Sequence, residues 1–219
     1  ITVEDPVEYL IEGLSQIQAR PEVGLTFASG LKAMLRQSPD IVMVGEIRDR
    51  ETANIAIQAA LTGHLVLSTL HTNDAVGSIT RLINMGIEGY IIESSIIACA
   101  AQRLLRRLCP HCKASYKISD LDKSLFKKYN LDNMKELYEP RGCEKCHQTG
   151  FLNRTGVFEI FLMDETIREL IIKKESISKI REHLIKNGFV SLFEKALQSV
   201  KCVARLNQVF SHKILHEIR

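Results

Sequence analysis

The chain contains no glycine-rich loop of the form G-x-x-x-x-G-K-[ST], the segment whose backbone N–H groups wrap a polyphosphate. It therefore carries no phosphate cradle of that kind. No apolar run reaches the ~20 residues that span a bilayer; the longest, around Tyr90 to Ala101, is interrupted by Glu93 and two serines. Neither a signal peptide nor a targeting tail is visible, and no internal repeat or low-complexity tract occurs. A net charge of +3 is too small to argue for nucleic acid. The chain opens at Ile1 rather than Met, inside an expected strand, and is read as the C-terminal piece of a longer protein.

What is present is ordinary globular composition, 45% hydrophobic and 25% charged over 219 residues, long enough for one full core and a smaller satellite. Six cysteines suggest disulfides in a secreted protein, but four of them form two C-x-x-C pairs, the spacing metals use in reducing compartments. That places the protein in the cytosol.

The apolar pattern predicts an α/β fold. Residues 1–5 read as a strand, followed by an irregular segment to about Gly24. A short helix capped by Thr26 or Ser29 ends before Pro39. Ile41 to Val44 is a continuous β-branched run, the mark of a strand buried in a parallel sheet. Glu51 to Thr62 makes a crossover helix with Gly63 behind it, leading into a strand from Leu65 to Leu70. A helix capped by Asn73 or Asp74 then runs through Met85 to Gly86. Glu88 to Arg107 reads as helical. Residues 109–150 hold the paired cysteines around a charged insert, Ser119 to Glu139. Gly156 to Leu162 is a short strand, and three or four amphipathic helices follow from Asp164. Three regions result: 1–108, 109–150 and 151–219.

Acids and imidazoles placed just past buried strands are carried to the edge where open parallel sheets bind ligands. Glu4, Glu46 and His71 all stand there, and the pattern suits phosphoanhydride hydrolysis, which needs charge neutralised through Mg²⁺ and a water held in line. Glu46 is the candidate for the metal side and Glu4 for orienting or deprotonating water. His71 is placed to hydrogen-bond a terminal phosphate. His64 precedes its strand and reads as structural. A lone strand-end acid is usually just solvated, and only the grouping makes these three notable.

Cys109, Cys112, Cys143 and Cys146 offer four thiolates, enough for a closed tetrahedral Zn²⁺ site with no vacancy for water, hence a structural one. His111 and His147 are bystanders, and Cys99 and Cys202 are buried hydrophobes. Arg103, Arg106, Arg107 and Lys113 make one concentrated basic patch, suited to acidic lipid head groups or an acidic partner, or simply a solvated helix end.

The run Thr2-Val3-Glu4-Asp5-Pro6-Val7-Glu8-Tyr9 resembles the Asp box of the secretion ATPase superfamily, the motors of type II secretion and type IV pilus assembly. Leu35 to Asp40 with Gly45-Glu46-Ile47-Arg48-Asp49 resembles that family's atypical Walker B box. Gly63-His64 through Leu70-His71-Thr72-Asn73-Asp74 resembles its His box. Ala101 to Leu104, Cys109 to Cys112 and Gly142 to Phe151 resemble the metal-binding insert of the assembly branch. The likeness covers nearly the whole chain.

The resemblance implies a partial RecA-like core at 1–108, a zinc lobe at 109–150 and a mainly helical region at 151–219. It makes Glu4 the catalytic acid, Glu46 the Mg²⁺-linked acid and His71 a γ-phosphate contact, with Arg81 at a nucleotide-sensing arginine. For Arg81 a plain solvated helix arginine is an equal alternative. The implied whole is a homo-hexameric ATPase using ATP and Mg²⁺, with Zn²⁺ in the lobe. It would work at the cytoplasmic face of the bacterial inner membrane, against a platform protein embedded there, to push out pilin or pseudopilin subunits. The retraction motors of the family lack the cysteine insert, so its presence favours assembly or export; secretion and pilus assembly are not separated. Two other classes stay open: a non-catalytic docking module, and a zinc-ribbon nucleic-acid binder, against which stands a lack of stacking aromatics around the cysteines.

Overall fold

The computed structural model describes residues 1–118, 120–129 and 136–199. The readings of Cys202 and of the last segment, 201–219, lie outside the described residues. The chain divides into two compact units. The first comprises residues 1–99 and 160–187, the second residues 100–159 and those described from 188 onward.

The first unit is built on a sheet of four strands, β1 (Thr2–Glu4), β2 (Gln16–Gln18), β3 (Ile41–Val44) and β4 (Leu65–Ser68), in the order β2-β1-β3-β4. All neighbours run parallel, with Val3 opposite Ile17 and Val44, and Val44 opposite Ser68. Val3, Val42 and Val44 are fully buried on one face, whereas Ile41 on the other face of β3 is exposed and Met43 half-buried, so the strand expected to be buried on both faces is covered fully on only one. β2 occupies a stretch expected to be irregular; three residues reading Gln-Ile-Gln carry too little pattern to announce a strand.

Helix α1 (Phe27–Leu35) starts in a reciprocal cap, in which the Thr26 hydroxyl accepts from the Ser29 N–H and the Ser29 hydroxyl accepts from the Thr26 N–H. Both candidate capping residues are thus used, one from each side. Its Gly30 lies over β1, where an added Cβ would stand 3.0 Å from a Val3 methyl. α2 (Arg50–Leu61) is the expected crossover helix. Asp49 caps its N-terminus through the Thr52 N–H at 2.8 Å, and Gly63 turns the chain into β4 at φ 99°. α3 (Gly77–Asn84) begins where the Asp74 carboxylate accepts from the Gly77 N–H at 2.6 Å.

Glu88 to Arg107 is not one helix. A short α4 (Gly89–Ser95) is followed by an eleven-residue strand, β5 (Ala98–Leu108). Alanine, leucine and arginine all favour helix locally, but Cys99, Ala101, Leu105 and Leu108 are buried and β5 pairs with the distant β8 (Phe151–Leu162). Long-range pairing overrides local propensity here.

In the second unit β6 (Ala114–Lys117) and β7 (Glu136–Glu139) form an antiparallel pair, and α5 (Asp120–Lys128) lies between them in sequence. Leu105, Phe126, Leu137, Val157, Ala196 and Leu197 make its core, so part of the charged insert is packed rather than solvated. Three helices follow β8, α6 (Glu165–Ile172) and α7 (Ile177–Lys186) in the first unit and α8 (Leu192–Ser199) in the second. The α8 start is tied down by the buried Glu159 of β8, which accepts from the Leu192 N–H at 2.7 Å.

Candidate functional site

The sheet order reverses direction between β1 and β3, and this is where open parallel sheets form a crevice at their carboxyl ends. Glu4 is the last residue of β1, Glu46 follows β3 by one glycine, and His71 follows β4. The three ends are laced together. The Gly45 N–H donates to the Val3 carbonyl at 2.7 Å, the Thr69 hydroxyl to the Gly45 carbonyl at 2.7 Å, and the Ile47 N–H to the Thr69 carbonyl at 3.0 Å. A Cβ on Gly45 would meet the Val3 carbonyl oxygen at 3.2 Å and the Glu4 Cα at 3.3 Å. Only a glycine lets the two acid-bearing strand ends come this close without displacing backbone.

Glu46 is nearly buried. Arg48 donates to its Oε1, and Nε2 of the largely exposed His71 lies 2.6 Å from Oε2. The Arg48 guanidinium holds the carboxyl below the ordinary glutamate range against the opposing effect of burial, with His71 adding to the lowering. Glu4 differs. Its Oε1 accepts from the Thr2 hydroxyl at 2.6 Å and from the Gln16 amide at 3.0 Å. Thr2 first and Gln16 second hold it below the ordinary range.

The structure thus unites Glu46 and His71 directly and sets Glu4 on the adjoining strand end. Arg81 is exposed on α3, with no hydrogen bond or ion pair to any of the three among the described residues. His64 stands before β4, its Nδ1 3.0 Å from the Ala59 carbonyl at the end of α2. Sequence reasoning did not single out Arg48 or Gln16. Arg48 had a signal, two residues from Glu46 in a turn; Gln16 had none, since β2 was not foreseen.

The four cysteines converge. Their sulfurs all lie within 4.8 Å of one another, at 3.9 Å for Cys109–Cys143, 3.8 Å for Cys112–Cys146 and 3.7 Å for Cys143–Cys146. A tetrahedron with Zn–S bonds of about 2.3 Å has edges of about 3.8 Å, so the donor set fits Zn²⁺. The N–H groups of Cys143 and Gly150 each donate to the Cys146 sulfur at 3.2 Å, outer bonds of the kind that fix metal ligands. Burial pushes the Cys112 thiol up to about 11. Burial acts likewise on Cys146, but those N–H donors prevail and bring it down to about 6. Gly150 closes the loop at φ 76°, where a Cβ would overlap the Pro140 ring at 2.3 Å.

Arginines 103, 106 and 107 do not form a patch at a helix end. They lie along strand β5, Arg103 half-buried and Arg106 and Arg107 exposed. The guanidinium of Arg106 covers the Phe151 ring at 4.2 Å, and Lys113 stands over Tyr138 at 4.4 Å. Phe151 and Tyr138, close to the cysteines in sequence, thus each carry a cation of the same chain on one face.

Against known families, residues 1–211 match the model of the type II/IV secretion system proteins. The chain belongs to the type II/IV secretion system protein family. It is 50% identical over 190 residues to type II secretion system protein E of Pseudomonas aeruginosa, covering 86% of this chain and 37% of that protein. It is 44% identical over 218 residues to the type IV pilus assembly ATPase PilB of Thermus thermophilus, covering 97% and 24%. This family member therefore spans about a quarter to two fifths of the length of those relatives. Its fold is also that of the pilus retraction motor PilT, solved with bound ADP. The two superpose with a TM-score of 0.65 at 24% identity, over 95% of this chain and 50% of that one.

Proposed function

We infer that this chain is the catalytic-core portion of a motor ATPase that assembles pilin or pseudopilin fibres for type II secretion or type IV pilus biogenesis. The observation that carries the reading is the convergence of Glu4, Glu46 and His71 at the carboxyl ends of three adjacent parallel strands, in a family whose named relatives include pilus assembly ATPases.

In this reading Glu46 holds Mg²⁺, which when bound neutralises charge on the transferred phosphoryl group. Arg48 keeps the Glu46 carboxyl ionised. His71, within reach of Glu46, donates to the terminal phosphate and exchanges that bond for the carboxylate once the phosphate has left. Glu4 orients the attacking water and takes its proton. Arg81 lies on the nucleotide side, and the phosphate loop comes from sequence beyond this chain. Cys109, Cys112, Cys143 and Cys146 hold Zn²⁺ as a structural clamp. The complete protein acts as a homo-hexamer on the cytoplasmic side of the inner membrane, pushing on a membrane-embedded platform protein. No helix among the described residues is long and apolar enough to cross a membrane.

The test is steady-state ATP hydrolysis by the complete protein. Glu4→Gln and Glu46→Gln are each expected to slow turnover by at least ~10²-fold, roughly 2.7 kcal/mol of transition-state stabilisation. Nucleotide binding should survive Glu4→Gln better, because a residue that positions water acts mainly in the transition state. Turnover near normal in both variants would reduce these acids to strand-end decoration.

A further inference from the structure

The β1–β2 loop carries four exposed apolar side chains, Tyr9, Leu10, Ile11 and Leu14, with Tyr9 at 80% and Leu10 at 91% exposure. One partly buried side chain fastens this loop to the candidate catalytic acid. Gln16 stands on β2 opposite Thr2 in the parallel register. Its Nε2 donates both to Glu4 Oε1 at 3.0 Å and to the Tyr9 carbonyl at 3.0 Å, while its Oε1 accepts from the Ile11 N–H at 2.7 Å. Every hydrogen of the amide NH₂ and a lone pair of its oxygen are used at once, so the amide plane cannot turn without breaking a bond to the loop or to Glu4.

The two donors to Glu4, Thr2 and Gln16, converge on the same oxygen, Oε1. Among the described residues no hydrogen bond reaches Oε2. A carboxylate pinned through one oxygen presents the other in a fixed direction, which is what a base that takes a proton from an in-line water requires. We propose that Gln16 is a positioning residue for Glu4: it fixes the carboxylate with Oε2 outward and makes that alignment depend on the conformation of the loop from Tyr9 to Leu14. This rests on the reading of Glu4 as the residue that orients water. Displacement of the loop pulls the Tyr9 carbonyl and Ile11 N–H away from Gln16 and releases Glu4, so whatever holds the loop also sets the rate.

The experiment measures ATP hydrolysis by the complete protein, unaltered and carrying Gln16→Leu or Gln16→Glu, with nucleotide affinity and thermal melting recorded alongside. Gln16→Glu keeps an acceptor for the Ile11 N–H but replaces the donor to Glu4 by a second carboxylate. Both variants are expected to lose about tenfold in kcat, the scale of one hydrogen bond to a charged group, with KM for Mg-ATP within twofold of normal. Thr2→Val, which removes the other donor to Oε1, is expected to lower kcat in the same selective way. Normal kcat in Gln16→Glu would show that the side chain only staples the loop, and would overturn the proposal. So would losses in kcat that track losses in melting temperature or in nucleotide affinity. A complete protein without ATP hydrolysis, or one indifferent to Glu4→Gln, instead overturns the reading of Glu4 beneath it.

Discussion

Glu46 keeps its charge in a nearly buried position because each of its oxygens has a partner, Arg48 on one and His71 on the other. Its pKa in the folded chain is depressed, so the ionised carboxylate stabilises the fold above the unfolded-state value, and that contribution disappears as pH falls through the folded value. Arg48→Ala removes the main cause of the depression and leaves burial opposed by His71 alone. The variant is therefore expected to melt a few degrees at most below the unaltered protein at pH 7, since Arg48 is more than half exposed and solvent screens the pair. The gap should close in acid, once Glu46 is protonated in both proteins. Thermal melts from pH 7 down to pH 3 check this, and a gap that stays constant across the range would mean that Arg48 supports the fold by packing and not through Glu46.

At the scale of elements, the four-cysteine cluster has a geometry that neither pair of cysteines makes alone: the first pair follows β5 and the second precedes β8, 30 residues of chain apart. Metal binding there is folding energy. One tightly held Zn²⁺ per chain is expected, with local melting of residues 109–150 on chelation or in Cys143→Ser while the β1–β4 sheet persists. Elemental analysis and hydrogen exchange read both parts, and protein purified without chelator that contains no zinc would end the idea. The convergence of the four cysteines was legible because C-x-x-C spacing is chemical and independent of context. β3 and β4 were legible as strands from their apolar, β-branched runs and α2 as a helix from its 3.6-residue period, although β4 closes at Ser68 and not at Leu70 and is mostly exposed. β5 was not, because its residues suit a helix and only β8, more than forty positions away in sequence, makes it a strand. The same limit hid Gln16. Its role exists only because β2 pairs with β1 and brings residue 16 beside residues 2 and 4.

At the scale of the whole molecule, the sheet of the described residues ends at β4, and the strands there bear an unusual burden. Leu65 and Leu67 are 44% and 50% exposed, and Ile41, opposite Leu65 on β3, is 51% exposed. These side chains share one face of the sheet, and an apolar face left open in this way is fitted to be covered by further structure. The groups at the sheet's carboxyl ends point the same way. Glu4 and Glu46 are acids, and neither attracts a polyanion such as ATP. The contacts that hold a nucleotide in P-loop motors are the backbone N–H groups and lysine of a G-x-x-x-x-G-K-[ST] loop, and these 219 residues contain no such loop. The chain by itself is therefore expected neither to hydrolyse ATP nor to bind it appreciably, and not to close into a ring of six. Any self-association should be polydisperse and should weaken when Leu67→Lys puts a charge on that apolar face. Calorimetry with Mg-ATP and a sizing run decide it. A micromolar affinity, or a discrete hexamer, would mean that the phosphates are gripped by groups other than the missing loop and that the site at the strand ends is built on a different plan.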